Sequence, residues 1–192
     1  IKKVAEGYSN HAKLIEVTAI QLHHVVHLKF TYCTGDASGQ NMTTTCTWHA
    51  ILSIAEQFKR VTNITPVDFV IEGNGASDKK VSQYNINSGR GIHVTAECTI
   101  PETIIKSVLR TTSDKLLSCF YPSKQLAEQD GMVGYNINVA NSIASIFVAT
   151  GQDLASIHES STGILHLEKR GDGLYIKLTL PNLVIGSVGG GT

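Results

Sequence analysis

Apolar and polar positions change their period several times along the chain. Lys13 to Leu22 and Val25 to Cys33 alternate, which predicts two strands meeting at His23-His24 as an antiparallel pair. From Gly39 to Arg60, Met42, Cys46, His49-Ala50, Ile54 and Phe58 recur at three- and four-residue steps, the spacing of an amphipathic helix. Ahead of the strands, Val4, Tyr8 and Ala12 share one helical face, so residues 1–12 predict a helix. After the long helix Pro66 interrupts, and Val67 to Ile71 predict a third strand. Helix, strand, strand, helix, strand is the order of a small α+β domain ending near residue 71.

The second part opens with a loop at Gly73 to Ser77. Ile92 to Ile100 predicts a strand, and Pro101 stands where it can start a helix running to about Cys119. Residues 121–131 are polar and irregular. Asn138 to Thr150 is nearly all apolar, with Val139, Ala140, Ile143, Ala144, Ile146, Phe147 and Val148 covering most of a helical circumference, so it predicts a buried helix ended by Gly151-Gln152-Asp153. Gly163 to His166 and Leu174 to Leu180 flank the turn Lys169-Arg170-Gly171-Asp172-Gly173 and predict a hairpin.

Composition narrows the classes of function. The 192 residues are enough to bury about two-thirds of their surface on folding. Sixteen Lys and Arg balance sixteen Asp and Glu, so no global field draws nucleic acid or an anionic membrane, and an anionic ligand must be held locally. Cys33, Cys46, Cys98 and Cys119 contain no C-x-x-C pair, which predicts neither a zinc site nor a disulfide framework and makes a reduced, cytoplasmic compartment the expectation. No stretch approaches the ~18 consecutive apolar residues of a membrane span, and Ile1-Lys2-Lys3-Val4 has the form of neither a signal nor a transit peptide. An opening on Ile and an ending inside Val188-Gly189-Gly190-Gly191-Thr192 read as cuts in a longer protein.

Three places carry candidate chemistry. Gly35-Asp36-Ala37-Ser38-Gly39-Gln40-Asn41-Met42 lies between a predicted strand and a predicted helix. Such a loop aims backbone N–H groups and a positive helix end outward, which suits a phosphate and makes a nucleotide cofactor one reading. A helix start capped by Ser38 or Asp36 is the other, and the G-x-G-x-x-G spacing is absent. Asp78-Lys79-Lys80 follows a glycine-containing loop, and Asp153 follows the apolar helix. A lysine held there can polarise a carbonyl and stabilise the oxyanion formed by hydride addition, while a partner carboxylate keeps it charged and relays protons, as in a reductase. The plainer reading is a solvated charge triplet and an ordinary aspartate after a helix. Against it, Asp153 faces the negative end of the helix dipole, a local cost of up to about 1 kcal/mol. Asn141, an amide in an apolar helix, needs a partner, either structural or a ligand. His23, His24 and His27 read as hairpin surface rather than a metal site, and Cys46 and Trp48 as core.

Taken together, Gly35 to Met42, Asp78-Lys79-Lys80, Gly134-Tyr135-Asn136 with Ala140-Asn141, Gly151-Gln152-Asp153, Glu159-Ser160-Ser161 and Gly186 to Thr192 resemble hydroxymethylglutaryl-coenzyme A reductase. They stand in that family's order over essentially the whole chain and resemble its class I branch most. The resemblance implies a ferredoxin-like, NAD(P)-binding small domain, residues 1–72, inserted into a larger α/β catalytic domain that binds the CoA substrate and of which residues 73–192 form the middle part. It implies reduction of hydroxymethylglutaryl-CoA to mevalonate by NADPH or NADH, through a hemithioacetal and mevaldehyde, for isoprenoid synthesis. By motif match Lys79 and Asp153 are catalytic, and Lys80 and Asn141 hold the hydroxymethylglutaryl group. Ser9, Asp36, Ala37, Gly39, Asn41, Met42, Gly189, Gly190, Gly191 and Thr192 match cofactor-binding positions, and no metal is implied. The family pattern also implies a dimer-based homo-oligomer with the active site between subunits.

Departures from that pattern carry expectations of their own. The family's catalytic glutamate falls upstream of Ile1 and its CoA-side histidine downstream of Thr192, so this chain alone is expected not to turn over. Asn10 stands where the family often has an arginine that holds the 2′-phosphate of NADPH, which leaves the choice between NADP and NAD open. Glu72 replaces a serine near the substrate, Ala127 to Gly131 replace a small-residue stretch, and Asn138 stands where a histidine is usual. These departures keep a second reading open: a non-catalytic or altered-substrate relative that acts as a ligand-binding or regulatory module.

Overall fold

The structure, a computed structural model, describes residues 1–66 and 68–190. They form two compact units, residues 1–76 with the closing segment from Gly186, and residues 77–185. The class is mixed α+β, with two small antiparallel sheets.

In the first unit the alternating stretches become β1 (Lys13–Leu22) and β2 (Val25–Cys33), paired antiparallel with Leu22 opposite Val25. His23 takes a positive-φ place in the two-residue turn (φ 53°), a conformation that histidine enters more readily than branched residues do. The helical period becomes α2 (Gln40–Thr62), which Asn63 closes in the left-handed conformation with its N–H on the Lys59 carbonyl (2.9 Å). Ahead of β1, α1 (Lys2–Glu6) is shorter than the helix predicted over residues 1–12. Ser9 Oγ accepts from the N–H groups of His11 and Ala12 (3.1 and 3.2 Å), a local turn that competes with helix, and Tyr8 stacks on His49 of α2 with ring centroids 3.5 Å apart. Ala5, Ala12 and Leu14 pack on Cys46 and Ala50 of α2 to make this unit's core. The strand predicted over Val67 to Ile71 is not seen: Val67 lies outside the described residues, and residues 68–71 are irregular. Phe69 packs instead on Trp48 (ring centroids 5.3 Å), so Trp48 is 45% exposed rather than part of the core.

In the second unit β3 (Ile92–Pro101), β4 (Ile164–Arg170) and β5 (Gly173–Leu183) form an antiparallel sheet in the order β3-β5-β4. β4 and β5 are the predicted hairpin, turning at Gly171-Asp172. Two helices cover the sheet's apolar face. α5 (Ser113–Gln129) lays Phe120 on Ile105, Leu167 and Leu174, and α6 (Val139–Thr150) lays Val139, Ile143 and Phe147 on Leu180. On the opposite face the Tyr175 hydroxyl donates to Glu97 Oε2 (2.6 Å), and the Arg170 guanidinium stands 3.8 Å from the Tyr175 ring centroid.

Two helical expectations change here. The single helix expected from Pro101 to about Cys119 is interrupted: after α4 (Glu102–Ile104), Ile105–Leu109 widen into a π turn and Arg110 takes a left-handed conformation (φ 53°). Thr112 then caps α5, its Oγ1 accepting the Lys115 N–H (3.3 Å). α5 continues through Pro122, so residues 121–129, expected to be irregular, are helical, with Lys124 and Glu128 paired one turn apart on its surface. α6, expected to be buried all round, turns inward only every fourth residue, and Ile146 and Val148 are exposed. No helix among the described residues is long and apolar enough to cross a membrane.

Glu102 ties α4 to the start of α5. Its Oε2 accepts the Ser113 N–H (3.1 Å) and the Ser113 hydroxyl. The hydroxyl bond, joined by the backbone bond and the nearby Lys106 and Lys169, holds the Glu102 carboxyl below the usual glutamate range. Because the folded value is the lower one, the stabilisation is complete above the ordinary glutamate range and is lost as pH falls through the lowered value. Urea midpoints of the Glu102→Gln variant measured across the acid range are expected to fall less steeply than those of the parent chain.

Candidate active site

Ser77, Asp78, Lys79 and Lys80 form a β-turn closed by the Lys80 N–H on the Ser77 carbonyl (3.1 Å). Ser77 (φ 51°) and Lys79 (φ 58°) both have left-handed backbone. At the third position of a turn that conformation favours glycine or asparagine, and for a lysine it costs about 1 kcal/mol or more. Asn85, wholly buried in α3 (Gln83–Ser88), grips the turn at both ends, its Nδ2 donating to the carbonyls of Ser77 (3.1 Å) and Lys80 (2.6 Å). Ser82 fixes where that asparagine stands by capping α3, its Oγ accepting the Asn85 N–H (3.2 Å).

The turn delivers Lys79 to Asp153, with Nζ 3.0 Å from Oδ2. The aspartate side chain is 6% exposed and the lysine 35%. Asp153 does not oppose the negative end of α6, although its place after that helix predicts it. Gly151 (φ 65°) closes α6, the chain reverses, and Asp153 becomes the N-cap of a 3-10 turn (Leu154–Ser156) that runs on into α7 (Ile157–Ser160). Its Oδ1 accepts the Ala155 N–H (3.1 Å) and its Oδ2 the Ser156 hydroxyl (3.3 Å). The carboxylate thus caps the start of one helical segment instead of opposing the end of another, a favourable placement.

Behind the turn, Glu159 of α7 is wholly buried. Its Oε1 accepts the Lys79 N–H (2.8 Å) and Arg90 Nη2 (2.5 Å), and its Oε2 accepts Arg90 Nε (3.4 Å) and Asn182 Nδ2 (3.1 Å). Arg90 also pairs with Asp78, and Asn182 of β5 accepts the Gly91 N–H on Oδ1 (2.6 Å). A Cβ on Gly89 or Gly91 would strike Asn182, so the residues flanking Arg90 have to be small. Sequence reasoning gives Glu159 no role and passes over Arg90, Asn85 and Asn182. The one local signal is Gly89-Arg90-Gly91, a charged residue between two glycines, and it points to Arg90 alone.

In the first unit the loop at residues 34–39 meets the closing glycine segment. The Asp36 carbonyl accepts the Val188 N–H (3.0 Å), and a Cβ on Gly186 would come 2.8 Å from Ser38 N. Gly39 (φ 74°) is the N-cap of α2 and no side-chain cap hydrogen bond is seen there among the described residues, so neither Ser38 nor Asp36 plays the capping role. Thr34 Oγ1 donates to the Ala37 carbonyl (2.7 Å) and fills the space that a Cβ on Gly39 would need. The Ser38 hydroxyl is buried without a hydrogen-bond partner among the described residues. Asn41 is exposed, and Met42 packs half-buried on the core. A 23-residue helix with no side-chain cap hydrogen bond among the described residues, beside two glycine loops, is the kind of place where backbone N–H groups can hold a phosphate.

The remaining predicted positions are less engaged. Lys80 is exposed, with its Nζ on the Asp78 carbonyl (3.0 Å), and Asn141 is exposed in the first turn of α6. Ser9 uses its hydroxyl in the turn after α1, and Asn10 is exposed. Glu72 is exposed and accepts the Asn74 N–H on Oε1 (2.6 Å). Asn136 anchors the start of α6, donating to the Gly163 carbonyl (3.1 Å) and accepting the Val139 N–H (3.1 Å). Gly189 takes a left-handed turn (φ 62°) and Gly190 is buried, whereas Gly191 and Thr192 lie outside the described residues. The structure therefore joins Lys79 to Asp153, and the 34–39 loop to the segment from Gly186. It leaves Lys80 and Asn141 at the surface.

A family model described as hydroxymethylglutaryl-coenzyme A reductase matches residues 1–192. Among curated proteins, the 3-hydroxy-3-methylglutaryl-coenzyme A reductase of Methanocaldococcus jannaschii is 38% identical over 194 residues, and that of Aeropyrum pernix 36% over 194. The protein of the same name from Pyrococcus horikoshii is 37% identical over 193 residues. These alignments take in 100% of this chain but 48%, 45% and 46% of the relatives, so the chain spans about half the length of the curated proteins it matches.

Proposed function

Because this chain belongs to the hydroxymethylglutaryl-coenzyme A reductase family, we propose that the protein reduces hydroxymethylglutaryl-CoA to mevalonate in two hydride transfers, through a hemithioacetal and mevaldehyde. The observation that carries the proposal is the Lys79–Asp153 pair, 3.0 Å apart, at the end of a turn held in an unfavourable backbone conformation. The Lys79 ammonium is the donor for the thioester oxygen, and later for the aldehyde oxygen, as each gains negative charge. Asp153, itself held by the Ala155 N–H and the Ser156 hydroxyl, aims that ammonium and offers a path for protons. Lys80 and Asn141, both exposed, are available to the carboxylate and hydroxyl of the hydroxymethylglutaryl group.

A nicotinamide dinucleotide would be held by Ser9, Asp36, Ala37, Gly39, Asn41, Met42 and the segment Gly189 to Thr192, and when bound it supplies the hydride equivalents. The ferredoxin-like arrangement of residues 1–72, the catalytic assignment of residues 73–192 and the dimer with its site between subunits belong to this same reading. NADPH is the cofactor carried over from the family, but Asn10 supplies no cation for a 2′-phosphate. The test therefore uses both nucleotides: the full reading frame that includes this chain is given hydroxymethylglutaryl-CoA, and oxidation of NADPH and of NADH is followed by absorbance. Turnover with either supports the proposal. Nucleotide binding without turnover in a dimeric preparation would replace it with the ligand-binding alternative.

A further inference from the structure

Resting on the reductase reading, we infer that Glu159 and Arg90 are positioning residues: a buried ion pair that holds the Lys79 backbone in its left-handed conformation so that the ammonium reaches Asp153. A non-glycine residue at positive φ persists only where its surroundings over-determine it. The contacts on this turn divide the work. Asn85 grips the carbonyls of Ser77 and Lys80, at its ends. The Lys79 backbone itself donates its N–H to Glu159 Oε1, 2.8 Å.

Glu159 has little left to offer any other chemistry. Its two oxygens already accept from the Lys79 N–H, Arg90 Nη2, Arg90 Nε and Asn182 Nδ2, which fills the acceptor capacity of a carboxylate. A wholly buried charge needs a counter-charge, and Arg90 supplies it. The same guanidinium also pairs with Asp78, the residue immediately before Lys79, so one planar fork ties both the lysine's neighbour and the acceptor of the lysine's amide. Gly89 and Gly91 let the Arg90 backbone approach Asn182, whose amide completes the set. This arrangement orients a group without touching substrate.

Glu159→Gln turns one carboxylate oxygen into an NH2 that must face donors. In the full reading frame it is expected to lower kcat by about 10- to 100-fold with the nucleotide KM unchanged, as loss of a supporting partner does elsewhere. In a Lys79→Ala background the same change is expected to cost nothing further, because its effect runs through the lysine. Arg90→Lys, which keeps the charge and loses the fork, should fall between parent and Glu159→Gln.

A second readout needs no turnover. Amide hydrogen exchange of this chain should show the Lys79 N–H protected, and Glu159→Gln should speed its exchange by about tenfold or more while the β3-β5-β4 amides keep their protection. Multiplying losses in the Lys79→Ala background, a Lys79 amide that exchanges at the parent rate, or a uniform loss of protection across the unit would each overturn the inference. Absence of turnover in the parent protein would instead remove the reductase reading and leave the exchange result standing.

Discussion

Lys79→Ala in the full reading frame is expected to lower kcat for hydroxymethylglutaryl-CoA reduction by about 10²- to 10³-fold, with the nucleotide KM within a few-fold of the parent. The expectation follows from where the ammonium sits. It is one-third exposed, 3.0 Å from a nearly buried carboxylate, and carried by a turn that four other residues brace. A donor so held needs no reorganisation when an oxyanion forms, and stabilisation of that kind vanishes with the side chain. Steady-state kinetics on parent and variant, with circular dichroism to verify the fold, decide the matter. A loss of less than about tenfold would mean that some other group carries the charge of the transition state.

Phe147→Ala is expected to destabilise the chain by about 3–5 kcal/mol in urea denaturation. Phe147 is wholly buried among Val139, Ile143 and Leu180, and the cavity left behind would open at the point where α6 ends. The Phe147 carbonyl also accepts the Gln152 N–H (2.9 Å), so this residue anchors the reversal that leads into Asp153. A loss of less than about 1 kcal/mol would show that the helix is not packed as described.

The readable parts of this fold were those in which a local pattern decides the outcome. β1 and β2 run over the residues that their alternation marks, because one face packs on α2 and a two-residue turn sets the register. The β4–β5 hairpin and the long α2 follow for similar reasons. The misreadings occur where a distant contact overrides the pattern. Trp48 looks like core by spacing, yet its partner is Phe69 on an irregular segment. Residues 121–129 look irregular by composition, yet Phe120, Leu116 and Leu117 hold the helix on the sheet and it continues past Pro122. α6 looks buried all round, yet only one side of it meets the sheet.

The candidate site divides in the same way. Lys79, Asp153 and the two glycine loops stand out in the sequence because each breaks a local rule or matches a family motif. Arg90, Glu159 and Asn182 lie far apart along the chain, and neither the glycines beside Arg90 nor the motif that holds Glu159 says which residues they meet. Only the fold makes them one network. The reason for Asp153 likewise emerges from a chain reversal at Gly151 that composition does not announce.

The backbone angle of Lys79 has a practical consequence for anyone wishing to make this protein more robust. A scheme that ranks substitutions by conformational preference would rewrite position 79 as glycine and position 77 as glycine or asparagine, and it would count both as gains in melting temperature. The first of these would delete the ammonium, and the second would loosen the arm that carries it. Heat tolerance is better sought in the exposed part of α5 or in the segment beyond α2, and residues 77–80 are best exempted from any consensus library.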